Sequence, residues 1–139
     1  MMAKDILTIS EESFSKFGKV IEMEKSFKEK FKIIIREEVE PWRIAIYRYN
    51  EKSIKTFENH PYSMESFEPL TGTTLIAVAE NNKPEDYKIF LLDKPVCLFK
   101  GIWHQVISLS DEASVKITEN LEVTSEFYHL ENEIKPQII

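Results

Sequence analysis

The chain has 139 residues, of which 42% are hydrophobic and 30% charged, a balance that allows a buried core and excludes a wholly disordered chain. Its net charge of -6 argues against binding to the phosphate backbone of nucleic acids. The longest apolar run is the five residues from Leu75 to Ala79, whereas a membrane helix needs about 20. We therefore expect one domain over residues 1–139, with neither nucleic acid nor a membrane as its partner.

The N-terminal segment predicts a cytoplasmic protein that begins with one short helix. The first ten residues, MMAKDILTIS, lack the apolar core of a secretory signal, and the single cysteine, Cys97, cannot form an internal disulfide. A helix is expected from Ser10 to Phe17, because Ser10 is a favourable N-cap and Gly18 can end the helix in a left-handed conformation. Phe14 would lie on its buried face.

Beyond Gly18 the pattern changes to short runs of aromatic and β-branched residues, which are typical of β-strands. Clusters rich in Asn, Asp, Lys and Pro separate these runs and indicate turns. No second long helix is predicted, and the tail after Leu130 is interpreted as a peripheral extension. An all-β sandwich or barrel is therefore expected. The predicted strands are Phe31 to Ile35, Trp42 to Tyr49, Thr73 to Ala79, Tyr87 to Leu92, Val96 to Phe99, Trp103 to Leu109, Val115 to Thr118 and Leu121 to Tyr128.

A histidine flanked by two carboxylates lies between two of the expected strands. Glu58 and His60 are two residues apart, so both side chains point to one face of an extended chain. Pro61 favours a bend, after which Glu65 could return opposite His60. These side chains would suit a divalent ion. The alternative interpretation is a solvated turn with two ordinary surface acids.

A second histidine-containing segment includes Gly101, Trp103 and His104. A histidine three residues after a glycine, at the start of an apolar strand, can be presented inward from that strand. The alternative is a partly buried His104 that is hydrogen-bonded to the backbone. Trp103 would belong to the core or to the wall of a pocket in either case.

The two histidine-containing segments, around His60 and around His104, together resemble the motifs of the cupin superfamily. The first motif, G-x5-H-x-H-x3,4-E-x6-G, is matched from its first histidine onward, with a glutamate at that histidine, by Glu58, His60, Glu65 and Gly72. The G-x2-H of the second motif is matched by Gly101 and His104. The resemblance implies a cupin double-stranded β-helix, or jelly-roll barrel, preceded here by the short N-terminal helix.

A closer resemblance is to the ureidoglycolate lyase family. Residues 58–79 read ENHPYSMESFEPLTGTTLIAVA, similar to the family's E-R-H-P-x-x-x-Q-x-F-x-P-L-x-G and the apolar strand after it. GIWHQVISL resembles the family's G-x-W-H-x-P-L-x-x-L, and FSKFGKVIE resembles its F-x-x-F-G-x-V-I-E. Where the family has glutamine this chain has Glu65, which restores the general cupin carboxylate and should strengthen cation binding.

Taken with the two histidine-containing segments, the resemblance implies a metal centre. Its expected ligands are His60, Glu65 and His104, with Glu58 as a fourth member. Two imidazoles with one or two carboxylates suit Mn, Fe, Ni or Zn. Whichever of Glu58 and Glu65 is not fully engaged by the metal is the candidate catalytic acid or base.

Three further residues are candidates for substrate binding. The planar guanidinium of Arg48 could hold a substrate carboxylate, with a salt bridge at the rim as the alternative. Tyr62 and Trp103 could exclude water from the site, with positions in an aromatic core as the alternative.

Several classes of function follow from these features. The resemblance implies a lyase acting on a C–N bond, which would cleave ureidoglycolate, or a related small hydroxy acid, to glyoxylate and urea. One alternative is another metal-dependent cupin enzyme, such as a sugar or sugar-acid isomerase or a dioxygenase. The other is a non-catalytic cupin that binds a small molecule. A small-molecule partner and a homodimer are expected.

Overall fold

The computed structural model describes residues 4–30, 32–37 and 41–136. Within them the chain is almost entirely β-structure, which confirms the predicted all-β class. One short helix precedes most of the strands, and this helix is too short to cross a membrane. The elements are β1 (Ile6–Thr8), α1 (Glu11–Phe14), β2 (Gly18–Val20), β3 (Trp42–Tyr49), β4 (Ile54–Asn59), β5 (Glu65–Thr71), β6 (Thr74–Ala79), β7 (Lys88–Leu91), β8 (Val96–Leu98), β9 (Trp103–Ser108), β10 (Ala113–Asn120) and β11 (Glu126–Ile134).

The strands form two sheets. The first has the order β1-β7-β6-β9-β4-β11, and the second has the order β2-β8-β5-β10-β3. Only β1 and β7 pair in parallel, and the other described pairs are antiparallel. Consecutive strands β4 and β5 lie in different sheets. The short connection between them therefore crosses from one sheet to the other.

The two faces of the first sheet each contact a hydrophobic core. One core lies between the sheets, since it combines Val78 and Phe90 of the first sheet with Phe67 and Val115 of the second. The other core contains residues that alternate with these along the strands, so it covers the opposite face of the first sheet. Its members include Phe57, Leu75, Tyr87, Trp103, Ile107 and Ile134.

The N-terminal helix forms where it is predicted, but it ends differently. The Ser13 N–H donates to the Ser10 side chain over 3.0 Å, which confirms Ser10 as the N-cap. The prediction that Gly18 ends the helix in a left-handed conformation is wrong, because Gly18 opens β2 and its φ is not positive. Gly18 instead allows β2 and β8 to approach closely, since a Cβ at this position would overlap the backbone of Cys97 in β8.

Several predicted strand boundaries are also corrected. The strand expected over 31–35 is absent from the described residues 32–35, and Phe31 lies outside the described residues. Of the strand expected over 121–128, residues 121–125 are not in a strand and only 126–128 lie in β11, which continues to Ile134. The segment from Leu130 to Ile134 is therefore not peripheral, because it belongs to β11 and Ile134 is buried in the second core.

Strands β4 and β5 were not expected, because their sequences are rich in polar residues. In β4 and β5 the positions that face the interior include Glu58 and Glu65. Propensity favours apolar and β-branched residues in buried strands, so a strand that carries charged side chains inward resembles a loop in sequence.

Candidate metal centre

The crossing between the two sheets brings four polar side chains together. His60 directly follows β4, and Glu65 is the first residue of β5. His104 lies in β9, where it is the register partner of Glu58 in β4. Residues that are paired across neighbouring strands project from the same face. The predicted turn at Pro61 thus returns Glu65 to the vicinity of His60.

Glu65 lies between the two imidazoles. Its Oε1 atom is 3.3 Å from His60 Nε2 and 2.8 Å from His104 Nε2. Glu58 Oε1 is farther away, at 3.6 Å from His60 Nε2 and 4.0 Å from His104 Nε2. The side chains of both histidines and of Glu65 are only 6–7% exposed, whereas that of Glu58 is 32% exposed. Glu58 therefore forms the solvent-facing side of the cluster.

Both imidazoles are oriented through their Nδ1 atoms. His104 Nδ1 lies 2.9 Å from the carbonyl oxygen of Ile102. His60 Nδ1 lies 3.3 Å from the carbonyl oxygen of Thr124 and 3.2 Å from Ser125 Oγ. A carbonyl can only accept, so these contacts favour a proton on Nδ1 and direct Nε2 into the cluster. Histidine ligands of metals are commonly fixed in this way.

The donor set fits a divalent metal ion. Glu58, His60 and His104 form one group whose ligand atoms lie within 4.8 Å of one another, and His60, Glu65 and Glu119 form a second. The Oε1 atom of Glu119 is buried and makes no hydrogen bond. Buried carboxylate oxygens without partners are costly, and coordination to a cation would satisfy them. Two imidazoles with carboxylates suit Mn, Fe, Ni or Zn.

The charges of the metal-free cluster are strongly coupled. Burial would raise the pKa of Glu65, but the neighbouring imidazoles outweigh it and lower this pKa to about 2. Burial would lower the pKa of His60, but Glu65 and Glu58 raise it to about 9. The pKa of His104 is raised as well, since contact with Glu65 outweighs the effect of its burial. Without metal, an ionised Glu65 thus faces a protonated His60 imidazole at neutral pH.

The stability of the metal-free protein should therefore fall at alkaline pH. The pKa of His60 is about 9 in the folded chain against 6.5 for an ordinary histidine, so its contribution is complete below about pH 6.5 and is lost as the pH rises through 9. We expect the Tm in EDTA to fall by roughly 5 °C or more between pH 6 and pH 9.5. Thermal unfolding followed by circular dichroism checks this. A His60→Gln variant should lose most of the dependence of Tm on pH. A wild-type Tm that stays constant over this range would contradict the raised pKa of His60.

None of the three predicted substrate-binding residues is in contact with the four side chains of the cluster in the described part of the chain. Arg48 lies on the face of β3 opposite to the interior, where its Nε is 3.7 Å from Glu112 Oε1 and its side chain is 72% exposed. Trp103 lies in the second core, on the face of β9 opposite to His104, and its Nε1–H donates to the Asn81 carbonyl over 2.9 Å. Tyr62 lies in the turn between β4 and β5 and is 71% exposed.

Two residues that were not predicted adjoin the cluster, Glu119 directly and Arg43 through its contact with Glu119. Glu119 in β10 is buried, and its Oε1 is 3.8 Å from His60 Nε2. Arg43 in β3 donates from Nε and Nη2 to Glu119 Oε2, over 3.1 and 2.7 Å. A signal for Glu119 exists in the sequence, because it continues the alternation of Val115 and Ile117, whose side chains face the interior.

Comparisons with known proteins agree with the resemblance and with the fold. The sequence model of one family, described as ureidoglycolate lyase, matches residues 38–131. A search of curated proteins found no match.

Several solved structures share the fold. Procruciferin, an 11S globulin from Brassica napus, is 7% identical, with a TM-score of 0.50. The aligned region covers 60% of this chain and 22% of the procruciferin chain. Vicilin from Solanum lycopersicum is 18% identical, with a TM-score of 0.50, and the aligned region covers 65% of this chain and 26% of the vicilin chain. Oxalate decarboxylase from Bacillus subtilis, which has Mn(II) centres, is 14% identical, with a TM-score of 0.49. The aligned region covers 66% of this chain and 24% of the decarboxylase chain. The chain thus spans about a quarter of each, and the likeness to the two globulins confirms the predicted jelly-roll fold.

Proposed function

Since the chain belongs to the ureidoglycolate lyase family, we propose that it is a lyase acting on a C–N bond, which cleaves ureidoglycolate or a closely related small hydroxy acid to glyoxylate and urea. The observation that carries the proposal is the convergence of His60, Glu65 and His104 beside the more exposed Glu58. This cluster lies within the residues that match the family.

The proposed cofactor is one divalent ion of Mn, Fe, Ni or Zn. His60, Glu65 and His104 would hold it, with Glu58 at the solvent-facing side. When bound, the ion supplies positive charge that lowers the pKa of a substrate hydroxyl. In the metal-free protein, contact with the imidazoles holds the pKa of Glu65 at about 2, so its carboxylate is already ionised and available as a ligand at neutral pH. Glu65 therefore suits ligation better than proton transfer.

The reaction requires one proton to move from oxygen to nitrogen. The hydroxyl of ureidoglycolate loses its proton, a C=O bond forms, the C–N bond breaks, and the nitrogen of the departing urea gains a proton. Glu58 suits this transfer because it is the most exposed of the four side chains and is not enclosed by the imidazoles. In this proposal Glu58 accepts the hydroxyl proton and returns it to the leaving nitrogen.

The test is the release of urea and glyoxylate from ureidoglycolate by metal-replete protein. We expect Glu58→Gln to retain its metal while kcat falls by about 100-fold or more, since general acid–base catalysis contributes about 100- to 10,000-fold. The matched control is Glu68→Gln, because Glu68 pairs with Lys116 on the outer face of the second sheet. Absence of product from the wild type would contradict the lyase activity. Faster turnover by Glu65→Gln, which restores the family residue, would indicate a different substrate.

The proposal includes a cytoplasmic homodimer. The support for a dimer is an exposed apolar row on edge strand β3, formed by Trp42, Ile44 and Ile46, which are 65%, 56% and 69% exposed. Contiguous exposed apolar surface of this kind is typical of protein interfaces.

A further inference from the structure

We propose that Glu119 is an additional ligand of the metal centre and that Arg43 is the residue that holds it in position. The inference rests on the metal site of the proposed function, but it does not depend on the identity of the substrate. Glu119 lies outside the set of four residues that the two sequence motifs indicate.

Three charged residues form a row across the second sheet. Glu65 in β5 is the register partner of Glu119 in β10, and Glu119 is the register partner of Arg43 in β3. Directly opposed side chains lie on one face of a sheet, so the row continues from the imidazole cluster towards the sheet edge. Two opposed carboxylates repel each other, and both are buried here. A cation between them would remove this repulsion.

The two oxygens of Glu119 have different environments. Oε2 accepts both hydrogen bonds from Arg43, whereas Oε1 is buried without any hydrogen bond. The side chain is only 7% exposed, and Oε1 lies 3.8 Å from His60 Nε2. His60, Glu65 and Glu119 each offer a ligand atom within 4.8 Å of the others. The unpartnered Oε1 therefore faces the same ion that His60 and Glu65 would bind.

Arg43 positions Glu119 through its planar guanidinium. Two N–H groups of Arg43 converge on Oε2, which fixes the carboxylate with Oε1 turned towards His60. A lysine cannot reproduce this two-pronged contact. Arg43 does not itself reach the ion in this proposal, so it is a positioning residue.

The chain offers a matched control for this pair. Arg48 and Glu112 also form an ion pair that involves a β3 arginine, but both side chains are well exposed and their separation is 3.7 Å. Arg48 lies on the opposite face of β3. The same two substitutions, arginine to lysine and glutamate to glutamine, can therefore be made in this second pair without touching the cluster.

The first experiment measures Mn²⁺ affinity in the absence of substrate, from the electron paramagnetic resonance signal of free Mn²⁺. We expect Glu119→Gln to weaken binding by about 100-fold and Arg43→Lys by about 10-fold, in the range found for groups that support metal ligands. Arg48→Lys and Glu112→Gln should bind as the wild type does. Unchanged affinity in Glu119→Gln, or no Mn²⁺ binding by the wild type, would overturn the proposal.

The second experiment separates ligation from a remote effect of charge. Water-proton relaxation of bound Mn²⁺ should reveal an additional exchanging water in Glu119→Ala, because the vacated coordination position becomes available to solvent. The Tm of the metal-free variant checks that the fold is retained. Weaker binding with an unchanged number of waters would overturn direct ligation. Normal Mn²⁺ binding with no urea release would instead contradict only the proposed function.

Discussion

Replacing His104 by alanine is expected to leave the purified protein with little metal and to abolish its lyase activity. His104 is 4% exposed, its Nε2 contacts Glu65 Oε1 over 2.8 Å, and its Nδ1 is held by the Ile102 carbonyl. The affinity for Mn²⁺ should fall by more than about 100-fold, since even groups behind the ligands contribute about 10- to 100-fold. Metal analysis of the purified variants, together with a Mn²⁺ titration, provides the measurement.

The third histidine of the chain supplies the control for His104→Ala. His129 lies on edge strand β11, where it is exposed and its Nδ1 is 3.1 Å from Thr56 Oγ1. His129→Ala should therefore retain the wild-type metal content, and His60→Ala should behave like His104→Ala. Equal metal content in all of these proteins would mean that His60 and His104 are not ligands.

Replacing Gly18 by alanine is expected to cost about 3 kcal/mol or more of the free energy of unfolding. A Cβ at Gly18 would overlap the carbonyl oxygen of Cys97, a backbone atom of β8. Strand β8 lies between β2 and β5, and Leu98 in β8 is the register partner of both Gly18 and Glu65. A shift of β8 would therefore disturb the strand that carries Glu65 as well as the pairing with β2.

Urea denaturation of the metal-free protein measures the effect of Gly18→Ala, and Gly101→Ala is the control. Gly101 has a φ of +78, but the nearest atom to a Cβ there is Asn81 Nδ2 at 3.3 Å. Its substitution should cost about 1–2 kcal/mol, the penalty of a left-handed residue with a side chain. Equal losses in the two variants would show that β8 can yield to a side chain at Gly18.

The sequence determined the features that depend on short-range patterns. Runs of β-branched and aromatic residues predicted an all-β fold, and this class is observed. The spacings around His60 and Glu65, and around Gly101 and His104, indicated a cluster that could hold a metal. The structure brings His60, Glu65 and His104 into contact. Ser10 was predictable as the N-cap for the same reason, because its partner Ser13 is three residues away.

Which face of a strand meets the interior was decided only by the tertiary structure. Arg43 and Arg48 lie in one predicted strand, where alternation places them on opposite faces, but nothing local shows which of these faces meets the interior. Pairing with β10 places Arg43 opposite Glu119, while Arg48 projects to the outside. Trp103 is adjacent to His104, but it faces the second core, because successive side chains in a strand alternate.

The contribution of Glu119 also depended on pairing between distant segments. Arg43 and Glu119 are 76 residues apart in the chain, and Glu119 meets Glu65 only because β10 pairs with β5. Register is set by which residues become buried together across a whole sheet, and this is a property of the assembled strands. The sequence therefore identified the residues contributed by the two motifs, whereas the tertiary structure alone determined which other charged residues reach them.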